Sequence, residues 1–589
     1  MKQLMLGNEA VARGLYEAGC RLVSGYPGTP STEITETVAN YPEVYCEWAP
    51  NEKVALEAAF GASLAGARAA CTMKHVGLNV AADPLFTLSY TGVNGGLVIC
   101  VADDPGMHSS QNEQDSRHYA IAAKVPMLEP ADAAESRDFA MRAFALSEQF
   151  DTPVILRMCT RISHSQSLVE TGAREETPLR PYVKNPQKYI MAPANAIRRH
   201  PVVEARTRAL TAFAETCDLN RLEMPGERAK LGIICSGTCY QYVREVFGNS
   251  QSQENSVGIL KLGLVNPLPE ALIRDFAARV DRLVVIEELD PVIETHVRAM
   301  GLAVEGKNLF PLEGEFSQNT VRKAFGLPLP PSVAAEPSIP VRPPVMCAGC
   351  PHRGMFYVLS RHKVTVIGDI GCYTLGMAQP LQAVDSVLCM GASVSGIHGF
   401  NKVGGKETEG KTVAVIGDST FMHSGMTGLV NISYNASNST VIILDNSITG
   451  MTGHQQNPST GYNIHGDPAT KVDLEAFCHA IGIQRVRVVD PYDLAACEQV
   501  LSEELAFEGP SVIISRRPCV LLKYVKPKMP VVIDRESCRG CKKCMKLGCP
   551  AIHMEGGRAA VDNTLCVGCG VCSQLCAFGA IREPSGGEQ

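Results

Sequence analysis

Val413-Ala414-Val415-Ile416-Gly417-Asp418-Ser419 and, further on, Val441-Ile442-Ile443-Leu444-Asp445-Asn446-Ser447-Ile448-Thr449-Gly450 decide the fold. Each begins as an uninterrupted apolar run rich in β-branched residues and ends abruptly in polar groups. Runs without apolar–polar alternation suit strands buried on both faces, the condition of a parallel sheet covered by helices. Polar groups at the carboxyl ends of such strands lie where an open α/β sheet gathers its ligand. Leu97-Val98-Ile99-Cys100-Val101, Val154-Ile155-Leu156, Leu231-Gly232-Ile233-Ile234 and Leu283-Val284-Val285-Ile286 repeat the pattern. The expected class is therefore α/β and multidomain.

A chain of 589 residues exceeds one hydrophobic core. Breaks are expected at the polar stretch Ser163 to Lys230 with Pro178, Pro181 and Pro186, at the proline-rich run Leu327 to Pro344, and at Lys526-Pro527-Lys528-Met529-Pro530. At 45% hydrophobic and 20% charged, composition is that of an ordinary globular protein. The formal charge of −7 argues against a nucleic-acid partner but leaves small acids open as substrates. No apolar run approaches the roughly 18–20 residues of a membrane span, and the first residues lack a signal-peptide pattern, so no membrane association and a cytoplasmic location are expected. The 23 cysteines cluster at ligand spacing, which favours metal sites over disulfides.

The clearest cluster is Cys538-x2-Cys541-x2-Cys544-x4-Cys549-Pro550 followed by Cys566-x2-Cys569-x2-Cys572-x3-Cys576. It resembles the bacterial two-cluster ferredoxins, in which the trailing cysteine of each run serves the other cluster. That resemblance implies one [4Fe-4S] cluster on Cys538, Cys541, Cys544 and Cys576, and a second on Cys549, Cys566, Cys569 and Cys572. A zinc site also uses Cys-x2-Cys, but eight thiolates exceed one tetrahedral ion. The extra residue before Cys549 and Ala577 in place of a second proline depart from the pattern, and leave a three-iron cluster open at the second site.

The strand ends quoted first resemble the Gly-Asp-Gly … Asn-Asn signature of thiamine diphosphate enzymes, with Ser419 and Asp445 as departures. The resemblance implies magnesium held by Asp418, Asn446 and the Ile448 carbonyl, with Gly417, Ser419 and Thr449 lining the cofactor. Taken alone, the motif would also fit an ordinary strand end with a turn aspartate. Glu52-Lys53-Val54-Ala55-Leu56-Glu57-Ala58-Ala59-Phe60-Gly61-Ala62 resembles the helix of thiamine-enzyme pyrimidine domains, which implies that Glu52 is the catalytic carboxylate at the aminopyrimidine. The plainer reading is a solvated glutamate in a first helical turn.

Gly25-Tyr26-Pro27-Gly28-Thr29-Pro30-Ser31 resembles a segment of the 2-oxoacid:ferredoxin oxidoreductases and makes Thr29 a substrate-carboxylate candidate; otherwise it is a turn capped by Ser31 or Thr32. Cys347-Ala348-Gly349-Cys350-Pro351-His352-Arg353-Gly354, Asp369-Ile370-Gly371-Cys372-Tyr373-Thr374-Leu375-Gly376, Met390-Gly391-Ala392-Ser393 and Thr449-Gly450-Met451-Thr452-Gly453-His454-Gln455 are similar to the large subunits of the indolepyruvate:ferredoxin branch. Gly28, Gly371 and Cys372 thereby become cofactor-binding candidates.

The resemblance implies a pyrimidine-type thiamine domain at 1–165, a linker at 166–228, a transketolase C-terminal-like domain at 229–335, a diphosphate-type thiamine domain at 345–525 and a ferredoxin-like α+β two-cluster domain at 530–585. It also implies a possible third [4Fe-4S] cluster on Cys347, Cys350, Cys372 and Cys519, against which stands the reading of four buried cysteines. Its implied activity is oxidative decarboxylation of arylpyruvates with coenzyme A and ferredoxin, completed by a smaller β subunit in a heterodimer or heterotetramer. A non-oxidative decarboxylase, or an electron carrier with a lapsed thiamine site, are the competing readings. Lys74 and Arg117 could meet a carboxylate, but a solvated surface charge is the plainer reading of each.

Overall fold

The computed structural model describes residues 1–248, 256–333, 336, 338–340 and 342–584. The chain divides into two compact units, Met1–Ala334 and Ala335–Gln589. The proline-rich run Leu327 to Pro344 spans the division; its residues 334, 335, 337 and 341, like residue 585 at the end of the expected last domain, lie outside the described residues.

The first unit is built on a seven-stranded sheet in the order Leu264–Asn266, Met127–Leu128, Val154–Cys159, Leu97–Asp103, Ala69–Lys74, Leu22–Gly25, Tyr45–Trp48. All neighbours are parallel except Leu264–Asn266, which pairs antiparallel with Met127–Leu128. That edge strand comes from residues 229–335, expected as a separate domain. Those residues also supply three parallel strands of a four-stranded sheet, Ala229–Ser236, Val257–Leu262 and Val280–Ile286. One apolar core joins both sheets, with Ile99 and Met127 clustered with Leu260, Phe276 and Ile293.

Residues 166–228, expected as an irregular linker, are corrected by the structure. Gln166–Glu170 pairs with Lys2–Leu6, and Pro193–Ala214 is a helix of 22 residues. Its buried positions Val203, Arg206, Leu210 and Ala214 follow helical spacing. Arg206 secures it by donating to the carbonyls of Ser89, at 2.7 Å, and Asp151, at 3.0 Å. Pro193 sits at the helix start, where its missing N–H costs nothing.

The second unit carries a six-stranded, wholly parallel sheet in the order Ser386–Val387, Thr365–Gly368, Thr412–Gly417, Thr440–Asp445, Ser511–Arg516, Arg485–Val489. After it come two short antiparallel pairs, Val532–Ile533 with Ile581–Arg582 and Ile552–Glu555 with Arg558–Val561. These do not form a detached bead, because Cys544, Leu547, Cys572 and Ile581 share one core with Tyr373, Val413 and Leu444. No described helix is long and apolar enough to cross a membrane.

Candidate functional site

In the second unit, Thr412–Gly417 and Thr440–Asp445 lie side by side with Gly417 opposite Leu444. The next residues of each, Asp418 and Asn446, therefore emerge together at the sheet's carboxyl edge. Asp418 also opens the helical run to Tyr434, so backbone N–H groups face the same place, a geometry suited to phosphate. The Asn446 amide places one terminal atom 2.8 Å from the Ile448 carbonyl oxygen and 3.1 Å from Asp418 Oδ1. With nitrogen there, the amide donates to both. With oxygen there, three oxygens converge, which with Asp418 ionised is the donor set of a hard cation such as magnesium. The residues thus fit the ion.

Burial and the neighbouring Asp445 push the Asp418 carboxyl up to about 7. Ser459 donates to Asp418 Oδ2 at 3.0 Å, but among the described residues no cation pairs with it. Asp445, by contrast, accepts from Arg516 at 2.8 Å. Ser419 and Thr449 meet hydroxyl to hydroxyl at 2.8 Å. A Cβ on Gly417 would lie 2.5 Å from the Tyr373 ring and one on Gly371 2.3 Å from it, so both glycines are dictated by that ring. Ser459, Asn457 and His352 escaped sequence reading. His352 is buried 3.4 Å from the Asn446 amide, with its pKa pushed down to about 4 by burial.

Cys538, Cys541, Cys544 and Cys576 line one cavity, and Cys549, Cys566, Cys569 and Cys572 line another. Both groupings interleave the two sequence runs. Cys350 lines the second cavity as well. Cys347, Cys350, Cys372 and Cys519 also gather: burial pushes Cys372 up to about 11, with Cys519 and Cys347 adding to it, and Cys350 up to about 12, with Cys347 and Cys372 adding to it. The Cys519 N–H donates to the Asn446 carbonyl at 2.9 Å, tying this group to the strand-end site. No three His, Cys, Asp or Glu side chains among the described residues converge tightly enough to share one ion. The cysteine sets surround cavities instead.

Arg353, buried just after Cys350, joins these parts. It donates to the carbonyls of Met346 and Cys347 at 2.6 and 3.0 Å and to those of Leu547 and Gly548 at 2.9 and 2.6 Å.

In the first unit, Glu52 opens the helix Glu52–Leu64 directly after the strand Tyr45–Trp48, with Asn51 capping through the Val54 N–H at 3.0 Å. Glu52 is buried rather than solvated, and a Cβ on Gly77 would lie 2.5 Å from its Oε1. Lys74, read as a surface charge, ends the strand Ala69–Lys74 and is buried. Burial lowers its pKa to about 8, against the pull of Asp104 and Glu52. Its stem lies beside Gly28, where a Cβ would come within 3.2 Å. Gly28, Lys74 and Glu52 thus form one buried corner, and Thr29 is half-buried next to it. Ser31 stands at the N-cap of the helix Thr32–Val38, but its hydroxyl donates to the Gly28 carbonyl at 2.8 Å instead of capping. Arg117 is also buried, in a set of ion pairs with Asp115 and Glu287.

Family models match three stretches: pyruvate flavodoxin/ferredoxin oxidoreductase, thiamine diphosphate-binding, over residues 13–215; the C-terminal binding domain of thiamine pyrophosphate enzymes over 369–515; and a 4Fe-4S dicluster domain over 530–577. Among curated proteins, the chain is 41% identical to indolepyruvate oxidoreductase subunit IorA of Archaeoglobus fulgidus, over 99% of this chain and 97% of that one. It is 40% identical to the protein of that name in Pyrococcus horikoshii, over 100% and 98%. The Methanothermobacter thermautotrophicus counterpart is 38% identical over 100% and 98%.

Proposed function

The chain belongs to the IorA family of indolepyruvate oxidoreductase subunits, thiamine diphosphate-dependent 2-oxoacid:ferredoxin oxidoreductases with a 4Fe-4S dicluster domain, and from that premise we propose its substrate, metal and partners. The substrate is an arylpyruvate such as indole-3-pyruvate, and coenzyme A takes the acyl group. The net reaction converts the 2-oxo acid, the coenzyme A thiol and two oxidised ferredoxins into acyl-coenzyme A, carbon dioxide, one proton and two reduced ferredoxins.

Bound thiamine diphosphate supplies the electron sink that lets a 2-oxo acid lose carbon dioxide. The chain's own residues orient it and handle charge. Asp418, the Asn446 amide and the Ile448 carbonyl would hold magnesium against the diphosphate, and the helix opening at Asp418 aims N–H groups at the same anion. Glu52 would hold a proton at the aminopyrimidine, its carboxylate kept in place by the bare Gly77 backbone. Thr29 and Lys74 would recognise the substrate carboxylate. The two ferredoxin-like cysteine sets would each hold a cluster, and Cys347, Cys350, Cys372 and Cys519 would hold a third. A smaller subunit completes the active site in a heterodimer or heterotetramer.

The convergence of Asp418, the Asn446 amide and the Ile448 carbonyl at adjacent strand ends, around an aspartate with no cation partner among the described residues, carries this reading. The test is an anaerobic assay of the chain with and without its partner subunit, following ferredoxin reduction that depends on both arylpyruvate and coenzyme A. Reduction with indole-3-pyruvate favoured over pyruvate and 2-oxoglutarate is expected. Aldehyde release without any acceptor would instead indicate a simple decarboxylase.

A further inference from the structure

Residues 535–546 contain five cations, Arg535, Arg539, Lys542, Lys543 and Lys546, against one carboxylate, Glu536, in a chain whose formal net charge is −7. All five are exposed. Arg535 pairs with Glu555 at 3.1 Å. Arg539, Lys542, Lys543 and Lys546 have no carboxylate partner among the described residues. Arg539, Lys542 and Lys543 form the rim of the cavity lined by Cys538, Cys541, Cys544 and Cys576, and Cys541 is itself exposed.

The other cysteine set is placed differently. Gly568, Gly570, Val571 and Cys572 are buried, and Ala348, Gly349 and Cys350 of the thiamine-binding fold close over that cavity. Of the two ferredoxin-like sets, the first therefore presents an exposed cysteine, Cys541, where the second has none, and cations without a carboxylate partner among the described residues lie beside it. Exposed like charges that gain no internal partner raise the local potential, steer oppositely charged proteins and favour encounter at low salt. We propose that Arg539, Lys542 and Lys543 beside Cys541, with the exposed Lys546 three residues further along the chain, form the docking surface for an acidic one-electron carrier protein of the ferredoxin type. The proposal rests on the oxidoreductase reading above. Each encounter passes one electron and no atoms: this chain is oxidised by one, the carrier is reduced by one, and two encounters clear each 2-oxo acid.

Cations beside a thiolate-bound cluster also offset its negative charge, so the test must separate docking from tuning of the cluster. It compares the wild-type holoenzyme with a Lys542→Glu, Lys543→Glu double variant and with a second double variant in the same patch, Arg539→Glu with Lys546→Glu. Three quantities are measured: anaerobic calorimetric Kd for an oxidised two-cluster ferredoxin at about 50 mM salt, KM for that ferredoxin, and the rate of methyl viologen reduction. Docking predicts that both Kd and KM rise about tenfold, that added salt erases the difference, and that viologen reduction and iron content stay at wild-type values. An unchanged ferredoxin Kd in both variants overturns the proposal. So does a viologen rate that falls in step with the ferredoxin rate, because the cations would then act on the cluster. Absence of viologen reduction by the wild type would instead overturn the oxidoreductase reading, and the two failures are therefore distinguishable.

Discussion

Two buried acidic groups, one in each unit, are built on opposite terms. In the first unit Asp115 meets Arg117 at 2.5 Å, Glu287 meets the same guanidinium at 2.5 Å, and Arg157 holds Asp103 and Glu129 at 2.7 Å each. Both arginines are buried, and their charge holds the Asp115 carboxyl well below its ordinary value. Each of these four carboxylates meets one of two guanidiniums, and the set ties the seven-stranded sheet to the residues after Ile286. In the second unit Asp418 is equally buried, but it faces an amide, a carbonyl and another aspartate, and its carboxyl is pushed up. A buried acid with its own counter-ion serves the fold; a buried acid without one has been left for something that arrives from outside.

The contrast can be broken at four places. Arg157→Met removes a counter-ion from three carboxylates and should destabilise the first unit by about 3–5 kcal/mol, seen as a lower urea midpoint; a loss under about 1 kcal/mol would mean the network is not needed. Asp418→Asn should do the reverse. Activity and retained thiamine diphosphate should fall about 100-fold, while the cofactor-free protein is no less stable.

The same aspartate gives a pH signature. Its folded pKa is raised, so the cofactor-free protein binds an extra proton and loses stability as pH climbs from about 4 through about 7. The rise in Tm on adding magnesium and thiamine diphosphate should accordingly be larger at pH 8 than at pH 5. Equal rises would contradict it.

Glu288 sharpens the comparison because its carboxylate lies beside the first network with no guanidinium paired to it among the described residues. Burial raises its pKa to about 7, and it accepts from the Phe316 N–H at 2.7 Å. Glu288→Gln should keep that bond and stabilise by about 2–3 kcal/mol more at pH 8 than at pH 5. Smallest of all, Ser419→Gly should change kcat by less than about threefold, since the substitution keeps the backbone beside Asp418 and removes a hydroxyl that meets Thr449. A larger loss would give this departure from the glycine pattern a role of its own.

Much of this was legible in the sequence for physical reasons. Val413 to Ile416 and Val441 to Leu444 lack alternation, which only a doubly covered sheet accommodates, and polar groups placed directly after such strands can hardly avoid meeting. Cysteine triplets carry spacing information that survives any fold. The helix Pro193–Ala214 was hidden by Pro178, Pro181 and Pro186 before it and Pro201 within it, although its alanines, arginines and leucines favour a helix. Lys74, Arg117 and Arg157 were beyond reach because charge pairing between residues far apart in sequence leaves no period to read. Ser459 comes to Asp418 across 41 positions by way of a loop, and Lys74 is marked only by its place at the end of an apolar strand.

The four bonds of Arg353 bear on anyone hoping to rewire this enzyme. A foreign electron-carrying tail spliced in after Met529 would arrive without the Leu547 and Gly548 carbonyls, stranding a charged side chain in the interior it helps to seal. A workable chimera has to import that loop's backbone geometry or replace the arginine. Evolution, under the same constraint, would be expected to shuffle this tail only together with the turn that grips it.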